Sequence, residues 1–467
     1  MFTAQHDVAI LGAGPAGASA AIRLVEMGFN VAIVERSPFP RAHVGICISD
    51  ETVALVDCLG VAKEFGGLQS WRRNVTVVKW GGAKPRFVPQ RGYHVDRGAF
   101  DTLMLDKARL TSVSVYQPAQ IRELDRPNGM GWRILLATES GLQLLAARFV
   151  IDATGRRSAV PGARVKDGPP LVAIHAQWIP KSESEFDGLI EAGEDAWLWY
   201  AQNSRRSAVV SVFCDPRGLR VGRSGDLQLT YKRLLDRFDI STILEAPISA
   251  AQACDASSHH AVDPIGHTYI RLGDSCFCVD PMSSQGIHLA LQAGLQGAVV
   301  VNTILRRPEL SGVAQAFFST RVAAQVSRYS LRTRQEYSRA SSTCSSAFWK
   351  ERSGDAQNEL AEDARSPAEP LRALPSGTVA MSPGVTFDVE PVIEGEFIEL
   401  RRVVRHASLD GSIKYVDGID VAKLLTVLPE TFAYSDLPAL WQDHIPPATG
   451  RWIAAWLWEK RLLVRFE

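Results

Sequence analysis

Hydrophobic positions along the N-terminal region predict a strand, a glycine turn, a helix and a second strand. Residues 7–11 (DVAIL) predict a buried strand, and GAGPAG follows directly at residues 12–17. The stretch ASAAIRLVEMG is typical of a helix, and VAIVE predicts a second buried strand that ends at Glu35. Further on, LVAIHAQWIP, WLWYAQ and SAVVSVFCD read as strands between residues 170 and 262. This order of elements predicts an α/β fold with an additional sheet.

A different pattern occupies the C-terminal third. Residues 314–349 predict one long helix, and residues 351–385 are rich in Pro, Ser, Gly and charge, which is typical of a linker. Beyond it, FIELRRVVRHASL and SIKYV predict strands, followed by three helices and a final strand, LLVRF. We therefore expect a winged-helix-like α+β module over residues 386–467.

Composition narrows the function classes. Among 467 residues, 51 Lys and Arg balance 51 Asp and Glu, so the chain lacks the basic excess of a nonspecific nucleic-acid binder. The helix DVAKLLTVLPETF of the C-terminal module holds one Lys and no Arg, which also disfavours DNA binding. Seven scattered cysteines without a CxxC pair predict reduced thiols and no metal site. We expect a cytoplasmic protein without a membrane span.

The glycine turn carries the first candidate chemistry. Gly12 permits a tight turn, Gly14 lets the backbone approach a pyrophosphate, and Gly17 allows the helix to pack closely on the strand. The helix N-terminus then offers free N–H groups to phosphate oxygens. Glu35 stands 18 residues after Gly17, at the end of the second strand, where a carboxylate accepts hydrogen bonds from a ribose. The unit predicts a bound dinucleotide.

Two later motifs decide which dinucleotide. A strand runs into Asp152-Ala-Thr-Gly155, and another ends in Gly273-Asp274 before VDPMSSQGIH and a helix. With these motifs the chain resembles the FAD-dependent monooxygenases of the aromatic-hydroxylase fold and their relatives, the flavin-dependent halogenases. The resemblance implies a Rossmann-type FAD domain in two parts, residues 1–165 and 266–350, with a sheet at 166–265 that covers the substrate. It assigns to FAD Gly12, Gly14, Ala16, Gly17, Glu35, Arg36, Arg41, Arg97, Ile121, Asp274, Asp280, Pro281, Gly286 and Ile287.

The catalytic side chains follow less directly from the sequence. His43 and His288 are the histidines that the motifs place nearest the flavin, as candidate proton donors or bases. Lys79, in VTVVKWGG, lies in roughly the region where the resemblance implies the lysine with which halogenases hold hypohalous acid, and the alternative is a strand lysine that points to solvent. The halogenase signatures are incomplete, because Ile46 and Cys47 follow Gly45 where the family has Glu-Ser. Trp197 and Trp199 are candidates for stacking on an aromatic substrate.

One basic stripe suggests a partner. Arg321, Arg328, Arg332 and Arg339 are spaced by 7, 4 and 7 residues, which places them within about 20° of one line on a helix. The stripe is either a solvated face or a docking face for an acidic peptide. The C-terminal module resembles the peptide-binding domains of enzymes that modify ribosomally made peptides, in which a peptide adds a strand to a sheet edge.

Together these features resemble the flavoprotein monooxygenases that mature tryptophylquinone cofactors, such as that of quinohemoprotein amine dehydrogenase. The resemblance implies hydroxylation of a tryptophan in a protein or peptide through a flavin C4a-hydroperoxide. A separate flavin reductase or NAD(P)H would supply electrons. The alternatives are a hydroxylase or halogenase of a small aromatic metabolite such as tryptophan, a reductase of isoprenoid double bonds, and a non-catalytic flavin-bound assembly protein.

Overall fold

A seven-stranded sheet organises the N-terminal part of the computed structural model, which describes residues 3–41, 47–68, 70–82, 84–127, 131–181, 185–219, 224–354 and 374–466. The second half of its strand Thr3–Leu11, residues 8–11, is apolar and fully buried, as expected for a strand that is covered on both faces. Tyr269–Arg271 pairs in parallel with the end of Gly141–Asp152. The other strands follow the order Ser114–Tyr116, Val31–Val34, Thr3–Leu11, Gly141–Asp152, Trp132–Thr138, Ala119–Asp125.

A second, eight-stranded sheet, here called the covering sheet, is mostly antiparallel. Its strand order is Leu244–Pro247, Val172–Pro180, Ser207–Cys214, Ala196–Ser204, Gly188–Ala192, Val75–Lys79, Arg86–Pro89, with Gln252–Asp255 paired to Val172–Pro180. The last two strands come from the region predicted as the first part of the FAD domain. The predicted limits of 166–265 are therefore too narrow, because Val75–Lys79 pairs in parallel with Gly188–Ala192, far along the chain.

Two small sheets and the helices complete this region. The small sheets contain Cys47–Ile48, Ser70–Arg72 and Tyr93–Val95, and Arg164–Lys166, His259–Ala261 and Phe277–Cys278. The helices are α1 (Pro15–Glu26), α2 (Asp50–Cys58), α3 (Ala62–Gly66), α4 (Arg97–Leu110), α5 (Ser224–Leu235), α6 (Gly286–Arg306), α7 (Ser311–Ser341) and α8 (Ala347–Ser353). The predicted single helix over residues 314–349 is wrong: α7 ends at Ser341, where Ser and Thr hydroxyls bond to carbonyls three residues earlier.

Helix α6 is the apolar core helix of this part of the structure. A β-carbon on Gly294 would lie 1.9 Å from Ser19 Oγ of α1, so a glycine is needed for the two helices to approach this closely. Within the described residues, α6 alone is long and apolar enough to cross a membrane, but 72% of its most apolar window is buried in the protein. That burial is typical of a core helix. The cytoplasmic location stays a prediction.

The chain forms two units, residues 1–308 with 318–360, and residues 309–317 with 361–467. The strand Thr378–Met381 pairs with both Thr431–Ala433 and Leu463–Arg465, so the second unit's sheet begins inside the predicted linker. Its remaining elements are Thr386–Glu394, Phe397–Arg405, Tyr415–Val416, Ile419–Asp420, α9 (Val421–Thr426), α10 (Leu437–Leu440) and α11 (Pro447–Glu459). This is an α+β module with Trp441 and Trp458 in its core; the winged-helix topology stays a prediction.

Candidate active site

The first glycine turn has three positions with different surroundings. Gly12 has a positive φ of 100°, and a β-carbon there would lie 2.3 Å from the Ala153 carbonyl oxygen. A β-carbon on Gly17 would lie 2.0 Å from the Gly12 carbonyl oxygen. Gly14 has no such backbone neighbour and meets only Arg41 Nη2, at 3.3 Å. Gly12 and Gly17 are thus needed for the turn itself, whereas Gly14 leaves space that a ligand can use.

Two charged features frame this space. Gly14 is the N-cap of α1, where Pro15 occupies the first turn and no acidic side chain competes for the free N–H groups. Glu35 is buried, and its two oxygens accept hydrogen bonds from Ala13 N and Ser37 N, each at 2.9 Å. Each carboxylate oxygen keeps a further lone pair for a ribose hydroxyl. Arg36 lies next to Glu35 and is exposed.

A buried carboxylate that was not predicted as a site residue holds two of the predicted arginines. Asp101 is fully buried, and it accepts hydrogen bonds from Arg41 Nη2 at 3.1 Å and Arg97 Nε at 2.7 Å. Arg41 Nη1 also lies 3.5 Å from Glu35 Oε1. Asp101 thus fixes two cations beside the glycine turn, in position for an anionic pyrophosphate. Its signal in the sequence is the i,i+4 spacing of Arg97 and Asp101 on α4.

The Gly-Asp motif meets the glycine turn from the other side. Gly273 has a positive φ of 62°, and its β-carbon position lies 3.1 Å from Ala16 Cβ. Asp274 is half-buried in the 3₁₀ turn Gly273–Ser275. Ile121 is more distant in sequence and packs, half-buried, against the hydrophobic cluster that contains Leu11 and Val34. The fold therefore brings Ala16 and Gly273 together, and the contact of Asp274 with FAD stays a prediction.

Asp280 begins the next predicted segment and is almost fully buried. Its Oδ1 accepts a hydrogen bond from Met282 N at 3.0 Å and so caps the 3₁₀ turn Pro281–Ser283. Its Oδ2 accepts a hydrogen bond from Tyr337 Oη at 3.1 Å. Burial raises the pKa of Asp280 to about 6, although both hydrogen bonds oppose the shift. Gly286 and Ile287 then open α6, with Ile287 buried.

Of the two candidate histidines, His288 lies in the described part of the chain and His43 does not. His288 is half-buried in the first turn of α6, and its Nδ1 lies 3.2 Å from Thr52 Oγ1. Burial lowers the pKa of His288, and the nearby Glu51 partly opposes this shift.

Lys79 is turned away from Asp280. Side chains alternate along a strand, and Val77 packs into the outer core of the covering sheet whereas Val78 packs on the inner side with Met282. Lys79 shares the face of Val77, and its Nζ lies 3.0 Å from Glu191 Oε2. The structure therefore does not bring the predicted halogenase lysine to the side that faces the Asp280 turn.

The two candidate tryptophans lie on the inner face of the covering sheet and differ in accessibility. Trp197 is 2% exposed and stacks on Phe213 at 3.8 Å between ring centroids. Its Nε1 donates a hydrogen bond to Tyr337 Oη at 3.2 Å. This packed ring offers no face for a substrate, which corrects the prediction for Trp197. Trp199 is half-buried and remains a candidate.

Strand register adds neighbours to Trp199 that the sequence did not suggest. Ser211 is paired with both Trp199 and His175, and Trp199 is paired with Ile190. We call these four residues the inner strip. Ala173 and Phe213, two positions away on the same strands, pack on the inner side, so His175 and Ser211 face that side too. His175, Trp199 and Ile190 are half-buried, whereas Ser211 is 2% exposed.

The arginine stripe lies on α7 as the spacing predicted. All four side chains are exposed. Arg339 forms an ion pair with Glu336 on the same helix. The exposure of Arg321, Arg328, Arg332 and Arg339 agrees with a solvated basic surface, and a docking role for this stripe stays a prediction.

The geometry fits a dinucleotide with a flavin. Gly14 leaves space at a helix N-terminus, Glu35 offers acceptors for a ribose, and Arg41 and Arg97 supply positive charge. A family model described as the FAD binding domain matches residues 5–298. The chain therefore belongs to the FAD binding domain family, and its cofactor is FAD.

Curated relatives are flavin-dependent halogenases. A tryptophan 2-halogenase of Chondromyces crocatus is 26% identical over 325 residues, which span 64% of this chain and 61% of the relative. The flavin-dependent halogenase armH3 of Armillaria mellea is 24% identical over 376 residues, 69% of this chain and 72% of the relative. The match to the first relative thus spans less than two thirds of its length.

Solved structures extend the likeness over nearly the whole chain. The flavin-dependent halogenase CmlS is 19% identical, with a TM-score of 0.79 over 99% of this chain and 96% of its own. QhpG, a peptidyl tryptophan dihydroxylase essential for tryptophylquinone cofactor biogenesis, is 25% identical, with a TM-score of 0.71 over 98% of this chain and 99% of its own. The C-terminal module is included in both matches.

Proposed function

We propose that this protein is a flavin-dependent monooxygenase that hydroxylates a tryptophan side chain in a protein or peptide during maturation of a tryptophylquinone cofactor. The observation that carries the proposal is the likeness to the peptidyl tryptophan dihydroxylase, which covers 98% of this chain and 99% of the other at 25% identity. When bound and reduced, FAD supplies the electrons that activate dioxygen for insertion into an electron-rich ring. A separate flavin reductase or NAD(P)H is the proposed electron source.

The inner strip supports an aromatic substrate. Trp199 offers a half-buried ring for stacking on the inner face of the covering sheet. Asp280 and His288 lie in the segment that the family sets along the flavin. Burial raises the pKa of Asp280 to about 6 and lowers the pKa of His288.

The C-terminal module supports a peptide rather than a free metabolite. Within residues 374–466, the strand Thr386–Glu394 pairs only with Phe397–Arg405, so its other edge is open to a further strand. Val389 and Leu400 lie on one face of this hairpin and are 67% and 47% exposed. We propose that the peptide binds along this hairpin.

Halogenation of a tryptophan or another small aromatic compound is the second candidate. It is favoured by the curated relatives and by the presence of Lys79 in the strand Val75–Lys79. The ion pair of Lys79 with Glu191 on the outer face of the covering sheet speaks against it. In a halogenase, this lysine has to lie beside the substrate.

One experiment separates the two candidates. The full-length protein, a flavin reductase, NADH, chloride and oxygen are incubated with a tryptophan-containing partner peptide and with free tryptophan. The proposal expects the mass of the peptide to rise by one or two oxygen atoms, with fragmentation placing them on tryptophan. Chlorinated tryptophan together with an unchanged peptide would support the second candidate.

A further inference from the structure

A cavity of about 320 Å³ lies behind the turn that Asp280 caps. Asp280 and Tyr337 both line it, and so do the exposed residues Arg334 and Glu351, which connect it to the surface. A polar cavity of this volume holds several water molecules. The charged and titratable groups along its wall are Asp167, Cys278, Tyr329, Arg334, Glu351 and Arg352.

A chain of two hydrogen bonds with one direction ends at the Asp280 carboxylate. Trp197 Nε1 donates to Tyr337 Oη at 3.2 Å, and Tyr337 Oη lies 3.1 Å from Asp280 Oδ2. The indole N–H is only a donor, so the tyrosine oxygen accepts from it and points its own proton at Asp280. Tyr337 and Trp197 are 1% and 2% exposed, which fixes this orientation.

The charges around Asp280 leave both of its protonation states within reach. Arg352 and Arg156 favour the carboxylate, as do the bonds from Tyr337 and Met282 N, but burial outweighs them and raises the pKa to about 6. Arg352 belongs to α8 and Arg156 to the turn after Gly141–Asp152, so the positive charges come from two separate elements. A carboxyl with this pKa takes up and releases protons near neutral pH.

We propose that this cavity, together with Tyr337 and Asp280, forms the route by which protons from solvent reach the flavin site. Reoxidation of a reduced flavin anion by dioxygen consumes one proton and releases one hydrogen peroxide. Insertion of one oxygen atom into a C–H bond also consumes one proton and releases one water. Cavity water gives a proton to Asp280 Oδ2, which Tyr337 holds in place by its hydrogen bond, and the protonated carboxyl gives this proton to the peroxide or hydroxide that leaves the flavin site. One proton is consumed with or without an organic substrate, so this route serves the flavin site whichever substrate is used.

The test uses the full-length FAD-bound protein and compares Asp280→Asn and Tyr337→Phe, each of which removes one member of the route, with Tyr231→Phe as the control for Tyr337→Phe. In Asp280→Asn, the amide oxygen of the new side chain can still accept the hydrogen bond from Met282 N, so the turn keeps its cap. Tyr231 is a matched control, because it is also 1% exposed and also accepts from an indole, Trp178 Nε1 at 3.0 Å, but it donates to the Val210 carbonyl. We expect Asp280→Asn to slow reoxidation of the reduced protein by oxygen at least about tenfold at pH 8, Tyr337→Phe to slow it as well, and Tyr231→Phe to leave it unchanged.

Two further readouts do not depend on turnover. The dissociation constant of FAD should stay within about twofold of wild type in Asp280→Asn. Infrared spectra of the apoprotein should contain a protonated carboxyl band that disappears as pH rises through about 6, and that is absent from the variant. Ser330→Trp, which fills the cavity, should slow exchange of this band in D₂O. Wild-type reoxidation in Asp280→Asn, or a parallel loss of FAD affinity, would overturn the proposal, the latter by showing that Asp280 only positions the turn.

Discussion

Lys79 Nζ lies 3.0 Å from Glu191 Oε2 on the outer face of the covering sheet. The pairing of Val75–Lys79 with Gly188–Ala192 places these two residues directly opposite each other. A lysine held this way is not available on the inner side, where the strip of Trp199 and Ser211 lies. Halogenation needs a lysine beside the substrate and oxygen insertion does not, so the outward position of Lys79 favours oxygen insertion.

Lys79→Ala should leave oxygen insertion within about twofold of wild type. The pair is partly exposed, and such ion pairs contribute only about 0.2–1 kcal/mol, so we also expect little loss of stability. The measurement is the rate of product formation with saturating reduced flavin, with Glu191→Gln as the partner control. A loss of all turnover in Lys79→Ala but not in Glu191→Gln would point to a catalytic lysine.

Gly14→Val should fold normally and bind FAD at least about 100-fold more weakly, since its β-carbon meets only the flexible end of Arg41 but fills the space for the pyrophosphate. Gly12→Val is the contrasting variant, because its β-carbon would overlap the Ala153 carbonyl and disturb the fold itself. Circular dichroism and flavin titration separate the two effects. Full FAD occupancy in Gly14→Val would contradict the assignment of the site.

Trp199→Ala should raise the dissociation constant of the aromatic substrate about two- to tenfold, because stacking on one ring contributes about 0.5–1.5 kcal/mol. Trp199→Phe should restore part of this affinity. Gln177→Leu changes an exposed residue on the same side of the strand Val172–Pro180 and serves as the control. FAD binding should be unchanged in all three variants. Equal substrate affinity in Trp199→Ala and wild type would remove the inner strip from the binding site.

The raised pKa of Asp280 has a consequence for stability. Because the folded-state pKa is about 6 and the ordinary value is 3.8, the folded protein binds up to one more proton than the unfolded chain between these pH values. This carboxyl therefore lowers the free energy of unfolding as pH rises through that window. Urea denaturation at pH 5 and pH 7 should show wild type gaining stability relative to Asp280→Asn at the lower pH. Parallel pH dependence in the two proteins would show that Asp280 is not buried in this way.

Much of the FAD site follows from local sequence. Gly12, Gly14, Gly17 and Glu35 act within one strand–turn–helix–strand unit, where spacing alone sets the geometry. Asp101 could have been added to that set, because its i,i+4 spacing from Arg97 places the two side chains together on α4.

The substrate side depends on register between distant strands. Neither the burial of Trp197 nor the row of His175, Ser211 and Trp199 is visible until Val172–Pro180, Ala196–Ser204 and Ser207–Cys214 are paired. The outward direction of Lys79 likewise depends on a parallel pairing across more than 100 residues. A shift of one residue in any of these pairings would exchange the two faces.

The most direct test of the account is intact-mass analysis of a tryptophan-containing partner peptide after aerobic turnover with reduced flavin and chloride present. If the protein hydroxylates peptidyl tryptophan, one or two oxygen atoms should be added to the peptide, on tryptophan and only when FAD is bound. Incorporation of chlorine, or modification of free tryptophan while the peptide stays unchanged, would contradict it.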